Sequence, residues 1–299
     1  LEVGSGSHAQ QTADIMRRFE PVVLEQKPDL VLVYGDVNST VAAALVCSKL
    51  LIPVCHVEAG LRSFDRTMPE EINRLLTDQI GDILLTPSAD GDANLLREGI
   101  APEKIHHVGN VMIDTLVRLL PVAAGTDIVE KLRLQLQGYG LVTLHRPSNV
   151  DDPKMLAQIL EALQDISQDL PLVFPVHPRT RQRLQSLSQE HETSNILLID
   201  PLSYLDFLAL QRQAMLIVTD SGGVQEETTY LGIPCLTVRE NTERPVTVSM
   251  GTNILVGRDM GKLRREAKKI LVGEGKRGKI PPFWDGKAAE RITEVVLGK

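Results

Sequence analysis

The sequence predicts an α/β protein of two Rossmann-like domains facing a cleft, and three observations carry that expectation. Short apolar, β-branched runs recur along the chain, among them Leu30–Tyr34, Val54–Val57 and Leu216–Thr219. Each is followed by a helix-compatible segment, and continuous apolar strands separated by helices indicate a parallel sheet covered on both faces. The pattern lapses over Val111–Gly138, which mixes an amphipathic stretch with Ala-Ala-Gly, and then restarts. The expected division is therefore 1–115, joined by a C-terminal helix at 284–299, and 116–283.

Taken in order, Gly4-Ser-Gly-Ser7 is a turn-prone opening to a helix over Ala9–Glu25. Leu30–Tyr34 is the first strand; Ser39–Leu50 follows as an Ala-rich helix that Asn38 or Ser39 can cap. Val54–Val57 is the next strand, Ile72–Asp78 a helix, Ile83–Thr86 a strand, and Ser88 caps a helix reaching Arg97 before the short run His106–Val108. In the second half the strands are Tyr139–Thr143, Leu172–Pro175, Ile196–Ile199, Leu216–Thr219 and Cys235–Val238. Helices start near Pro153, Arg179, Ser203, Val224 and Asp259.

Composition narrows the function classes. The 299 residues are 42% hydrophobic and 24% charged, the profile of a globular chain with room for two domains. A net charge of -7 argues against nucleic-acid or anionic-membrane partners, which need a basic face. Cys47, Cys55 and Cys235 are odd in number and sit in apolar runs, so they read as buried thiols in a reducing, cytoplasmic setting. No apolar run reaches the roughly 18 residues that a membrane helix needs.

Polar residues collect at the expected strand ends, where α/β folds bind ligands. The segment His56–Arg74 carries Glu58, Arg62, Asp65, Arg66, Glu70 and Arg74, far more charge than a turn of about 4 to 6 residues requires. Asp36 follows the first strand, where an acid serves as a helix cap as readily as a functional group. Pro69-Glu70-Glu71 also reads as a helix first turn, so one of these acids can be there for the dipole alone. Thr143-Leu-His-Arg-Pro147 and Val176-His-Pro-Arg-Thr-Arg181 each place a His and an Arg at a strand end, an anion-facing pattern. Ser221-Gly222-Gly223 opens a helix whose backbone N–H groups suit a phosphate. Glu227, four residues on, suits a ribose diol. Neither G-x-G-x-x-G nor G-x-x-x-x-G-K-[ST] occurs, so a dinucleotide dehydrogenase and a P-loop enzyme lose their main support. A sugar nucleotide is the economical ligand.

Six motifs in order, Tyr34-Gly-Asp36, His56-Val-Glu-Ala-Gly-Leu-Arg62, Met68-Pro-Glu-Glu-Ile-Asn-Arg74, Leu144-His-Arg146, Val176-His-Pro178 and Asp220-Ser-Gly-Gly-Val-Gln-Glu-Glu227, resemble the non-hydrolysing UDP-N-acetylglucosamine 2-epimerases. The resemblance implies a GT-B glycosyltransferase-like fold, a cytoplasmic homodimer, and no NAD, other cofactor or essential metal. It implies reversible conversion of UDP-GlcNAc to UDP-ManNAc through a 2-acetamidoglucal, serving polysaccharide biosynthesis. By the same resemblance Asp36, Glu58 and Glu70 are candidates for proton transfer, with the division of steps left open, and His145 is the phosphate-side catalytic residue. Ser221, Gly222 and Gly223 would hold the diphosphate, Glu227 the ribose and Phe207 the uracil, while Arg74 would orient the carboxylate loop. Arg146 and His177 resemble residues that bind a second UDP-GlcNAc as activator.

Two departures temper the resemblance. Relatives open with a further strand and an Arg- and Lys-bearing loop, so the first sheet is expected to lack its starting strand. Pro147-Ser148 stands where many relatives carry Glu-Asn. A hydrolysing epimerase releasing UDP and ManNAc, and a UDP-sugar-binding protein inactive through N-terminal truncation, are the alternative readings.

Overall fold

The computed structural model describes residues 1–176, 178–187 and 195–298. By contact the chain separates into two units, Leu1–Val111 with Pro282–Lys299, and Met112–Pro281. Among the described residues no helix is long and apolar enough to cross a membrane.

Unit 1 begins with α1 (His8–Gln26), whose N-terminus is closed by a reciprocal Ser7–Gln10 capping box. The chain then alternates through β1 (Val31–Tyr34), α2 (Asn38–Lys49), β2 (Val54–Val57), α3 (Pro69–Ile80), β3 (Ile83–Thr86), α4 (Ala89–Arg97) and β4 (Ile105–His107). The four strands are parallel in the order β1-β2-β3-β4. Successive side chains of β2 point to opposite faces. Val54 packs with Val23, Val33, Ala44 and Cys47, whereas Cys55 and Val57 pack with Leu85, Val108 and Ile292.

Unit 2 runs through α5 (Val111–Ala123), α6 (Ile128–Lys131), β5 (Gly140–Thr143), α7 (Pro147–Val150), α8 (Pro153–Ser167), β6 (Leu172–Pro175), α9 (Pro178–Leu187) and β7 (Ile196–Ile199). It continues with α10 (Tyr204–Gln211), β8 (Leu216–Thr219), α11 (Gly222–Leu231), β9 (Cys235–Thr237), α12 (Pro245–Ser249), β10 (Asn253–Leu255) and α13 (Met260–Leu271). Its six parallel strands lie in the order β10-β9-β8-β5-β6-β7. That order reverses direction between β5 and β8, which makes their carboxyl ends the topological switch point. Val142 of β5 joins the core under α8 and α13, and Leu141 joins the one on the opposite face with Leu210 and Val224.

The last helix, α14 (Ala288–Val296), belongs to unit 1. Trp284, 2% exposed, donates its indole N–H to the Pro87 carbonyl at 2.8 Å. Arg291 donates to the Val108 carbonyl at 3.1 Å and lies 4.7 Å from the Phe283 ring centroid. Gly109 is obligatory at this seam: its φ is +89°, and an added Cβ would sit 2.1 Å from the Phe283 carbonyl oxygen.

Several boundaries differ from the sequence expectation for identifiable reasons. α3 starts at Pro69 rather than Ile72, because a proline at the first helical position followed by Glu70 and Glu71 already favours the helix. Ser88 occupies the N-cap position of α4 but makes no side-chain capping bond, and Val37, rather than Asn38 or Ser39, is the N-cap of α2. α6, α7, α12 and β10 were not anticipated; each spans five residues or fewer, too short to show a period. Trp284→Ala is expected to cost unit 1 about 3–5 kcal/mol, read as lost hydrogen-exchange protection of the β1–β4 amides.

Candidate functional site

In unit 1 the adjacent carboxyl ends of β1 and β2 present Gly35-Asp36 and Glu58. Glu58 adopts φ +72°, a left-handed conformation uncommon for a residue with a side chain, which the surrounding contacts must hold. Its Oε2 lies 3.5 Å from where a Cβ on Gly35 would be, so the two strand ends meet at this carboxylate. Asp36 does not cap α2; its Oδ2 accepts from Arg74 Nε at 2.9 Å and Nη2 at 2.6 Å.

Arg74 also donates through Nη1 to Glu71 Oε2 at 2.7 Å, and its side chain is 3% exposed. Glu71, equally buried, accepts from the Ser63 and Phe64 amides at 2.9 Å each and from the Ser63 hydroxyl at 3.0 Å. Of the two neighbouring acids at the start of α3, Glu71 is therefore the scaffold. Glu70 instead lines a cavity of about 310 Å³ together with Asp36, Asn38, Asn73, His8 and Gln11. Asn73 donates to the Asp36 carbonyl at 2.8 Å, which fixes the rim of this cavity. Two carboxylates on one polar cavity, with a third at the adjoining strand end, form an arrangement suited to moving protons on a polyhydroxylated ligand.

The arginines of the His56–Arg74 segment are largely consumed by the fold. Arg62, 1% exposed, grips Glu98 with Nε and Nη2 at 2.8 and 2.6 Å and pairs with Asp78 at 2.7 Å. Arg66 alone of the three is exposed.

In unit 2 the switch point collects His145 and Arg146 after β5 and Ser221–Gly223 after β8. Asp220 ties them together. It is fully buried; its carboxylate accepts from the His145 amide at 3.1 Å, the Arg146 amide at 3.0 Å and Asn149 Nδ2 at 3.0 Å, and faces His145 Nδ1 at 3.0 Å. Burial alone would raise the Asp220 carboxyl, but His145, Asn149 and the Arg146 amide outweigh it and hold the group below its ordinary value. The His145 side chain remains 59% exposed. Arg146 donates through Nε to the Asp220 carbonyl at 3.0 Å.

Gly222 and Gly223 are the first two residues of α11, whose opening N–H groups have no partner within the helix. Ser221 is its N-cap and spends its own N–H on Thr219 Oγ1 at 3.0 Å. A Cβ on Gly223 would meet nothing within 4 Å, whereas one on Gly222 would lie 2.6 Å from Arg244 Nη1. Arg244 thus reaches the N-terminus of α11, held by Glu226 at 2.8 Å and by Glu243. Burial pushes Glu243 upward, but Arg244 and Arg239 prevail and keep it ionised. Glu227 is buried and accepts the Tyr204 hydroxyl at 2.7 Å; its carboxyl is raised by burial, against hydrogen bonds from Tyr204 and Gln211. Phe207 is half-buried against the cluster containing Tyr139, Leu141 and Leu210. His177 lies outside the described residues.

A family model described as UDP-N-acetylglucosamine 2-epimerase matches residues 1–297. The chain belongs to the UDP-N-acetylglucosamine 2-epimerase family. A Methanocaldococcus jannaschii UDP-N-acetylglucosamine 2-epimerase is 46% identical over 304 residues, covering 99% of this chain and 82% of that protein. The crystal structure of the Methanocaldococcus jannaschii enzyme in complex with UDP-GlcNAc and UDP superimposes with a TM-score of 0.88 at 45% identity, covering 100% of this chain and 84% of that one. A Pseudomonas aeruginosa UDP-2,3-diacetamido-2,3-dideoxy-D-glucuronate 2-epimerase is 42% identical over 302 residues, covering 98% and 82%. The two parallel-sheet domains are of the GT-B-like type seen in these epimerases.

Within this family member, sequence reading missed Asp78, Glu71, Asp220 and Arg244 as organising residues. Asp220 and Glu71 stood inside quoted motifs and could have been flagged as acids flanking a phosphate-type turn and a helix start. Arg244, in Thr242-Glu-Arg-Pro245, offered no period or strand end to mark it. Arg74→Met leaves Glu71 buried without its cation and is expected to cost about 3–5 kcal/mol in a urea-unfolding comparison. The depressed folded-state carboxyl of Asp220 stabilises unit 2 fully above the unfolded value of about 3.9. That contribution is lost as pH falls from there through the depressed folded-state value, so the acid-induced loss of stability should be shallower in Asp220→Asn than in the parent chain when both are unfolded in urea at pH values below about 4.

Proposed function

We propose that the chain interconverts UDP-N-acetylglucosamine and UDP-N-acetylmannosamine by eliminating and re-adding UDP. The observation that carries this reading is the opening of Asp36 and Glu70 on one cavity with Glu58 at the adjoining strand end, in a member of this family. A carboxylate takes the C2 proton while the C1–O bond breaks and UDP leaves with the bonding pair, giving a 2-acetamidoglucal. A second acid returns a proton to the opposite face of C2 as UDP re-adds at C1. Two proton-transfer groups are required, and three acids supply them.

Asp36, Glu58 and Glu70 share this chemistry in the proposal, and Arg74 orients Asp36 through its paired contact. The Ser221 hydroxyl and the N–H groups of Gly222 and Gly223 receive the diphosphate, as a helix start favours an anion. His145 stands on the phosphate side, Glu227 takes the ribose and Phe207 the uracil. Arg146 and His177 are assigned to a second, activating UDP-GlcNAc. The active form is a cytoplasmic homodimer serving polysaccharide synthesis. The related Pseudomonas aeruginosa 2-epimerase is named for a more oxidised, diacetamido sugar, so both substrate types belong in the assay.

In heavy water the parent chain should convert UDP-GlcNAc to UDP-ManNAc with one solvent deuterium at C2. Glu70→Gln should abolish that exchange while UDP binding by calorimetry stays within a few-fold. Free ManNAc as the product would replace this reading with a hydrolysing epimerase. UDP binding with no exchange in the parent chain would leave a sugar-nucleotide-binding protein.

A further inference from the structure

His56 lies in the middle of β2, paired in register with Val33 and Leu84, and its side chain is fully buried. Its two ring nitrogens both face acceptors. Nε2 is 2.9 Å from the Gly35 carbonyl oxygen, and Nδ1 is 2.6 Å from Asp78 Oδ1. A carbonyl oxygen can only accept, so Nε2 carries a hydrogen. The other Asp78 oxygen accepts the Gly60 N–H at 3.1 Å and pairs with Arg62 Nη2 at 2.7 Å, the environment of an ionised carboxylate. Nδ1 must then donate as well. The charged groups around the ring are Asp78 from α3 and Glu58 and Arg62 from the segment after β2, with Glu98 beyond Arg62.

The place of this ring is informative. Gly35, whose carbonyl it holds, has φ +64° and directly precedes Asp36; Glu58, two residues after His56, adopts φ +72° and approaches Gly35. We propose that His56 is a permanently protonated positioning residue: a buried imidazolium that fixes the Gly35–Asp36 turn and favours the ionised form of Glu58. Burial opposes the cation, but the Asp78 hydrogen bond and charge, the Gly35 carbonyl and Glu58 together raise its pKa above the ordinary imidazole value. His56 touches no reacting atom; its effect passes through Gly35 and Glu58, and its catalytic consequence rests on the proton-transfer role proposed above for Asp36 and Glu58.

The ring state is read directly by nitrogen-15 NMR of the histidine-labelled full chain, without reference to activity. Both His56 ring nitrogens should resonate as protonated and stay so through neutral and mildly alkaline pH; a ring with one unprotonated nitrogen overturns the inference. His56→Gln keeps a donor but not the charge. Loss of the cation makes Glu58 easier to protonate, so the acid limb of kcat/KM for C2 exchange should move to higher pH. kcat should fall about 100-fold, as expected for a small misplacement of catalytic groups, with KM within a few-fold. A His56→Gln chain that is folded by circular dichroism and retains the parent acid limb and kcat overturns it too. If His56→Gln does not fold, the NMR result on the parent decides. A parent chain inactive in exchange would sink the proposed function while leaving the ring measurement intact.

Discussion

The Asp78 carboxylate is the interaction on which the carboxylate end of unit 1 depends. It is inaccessible to solvent, yet it takes a hydrogen bond from His56 on β2, one from the Gly60 amide in the following loop and a charge contact from Arg62. Burial would raise its carboxyl, but these partners win and keep it ionised. Through them α3, β2 and the loop between them share one buried charge cluster, and a buried charge keeps its place only while every partner keeps its own. The positive φ angles of Glu58 and Gly60 are held in that setting; a Cβ on Gly60 would lie 2.5 Å from the Gly91 carbonyl oxygen.

Asp220 repeats the solution at the switch point of unit 2. Neighbouring parallel strands bring the loops after β5 and β8 side by side at their carboxyl ends. One buried carboxylate meets the His145 and Arg146 amides and Asn149, so the loop after β5 is tied to the strand end that precedes α11. His145 is left with an exposed ring beside a fixed anion, which holds its Nδ1 side and leaves the rest of the ring accessible.

The alternation of apolar strands and helices was legible because burial on both faces of a parallel sheet forces continuous Val, Ile and Leu runs, and β2, β3, β6, β7 and β8 fall on their expected residues. The strand-end position of Asp36, Glu58, His145 and Ser221 was legible for the same reason. What the chain order does not reveal is which charges turn inward. Arg62 and Arg74 look alike beside Arg66 in sequence, yet the first two are buried against acids from α3, from the end of α4 and from the β1 turn. Those partners are 16 to 38 positions away or on a helix face that only the assembled sheet defines; Asp36, for one, is separated from Arg74 by 38 residues. Asp78 was hidden likewise, as one polar residue near the end of an amphipathic helix.

The first turn of α3 shows how one helix can serve structure and chemistry at once. Adjacent residues on a helix point about 100° apart, since 3.6 residues complete a turn. Glu71 and Arg74 are three apart and share a face, which is the spacing at which side chains meet; their ion pair faces inward and fastens the Ser63–Phe64 backbone. Glu70 and Asn73, also three apart, share the neighbouring face and look into the cavity that Asp36 enters. Arg74 links the two faces because its fork has donors to spare: Nη1 holds Glu71 and the Nε–Nη2 edge holds Asp36. A lysine, with a single ammonium on a flexible stem, cannot present that edge. The position of Asp36 at the cavity is thus set by the same guanidinium that neutralises the buried Glu71, and the proton-transfer geometry is coupled to the stability of the loop through one side chain.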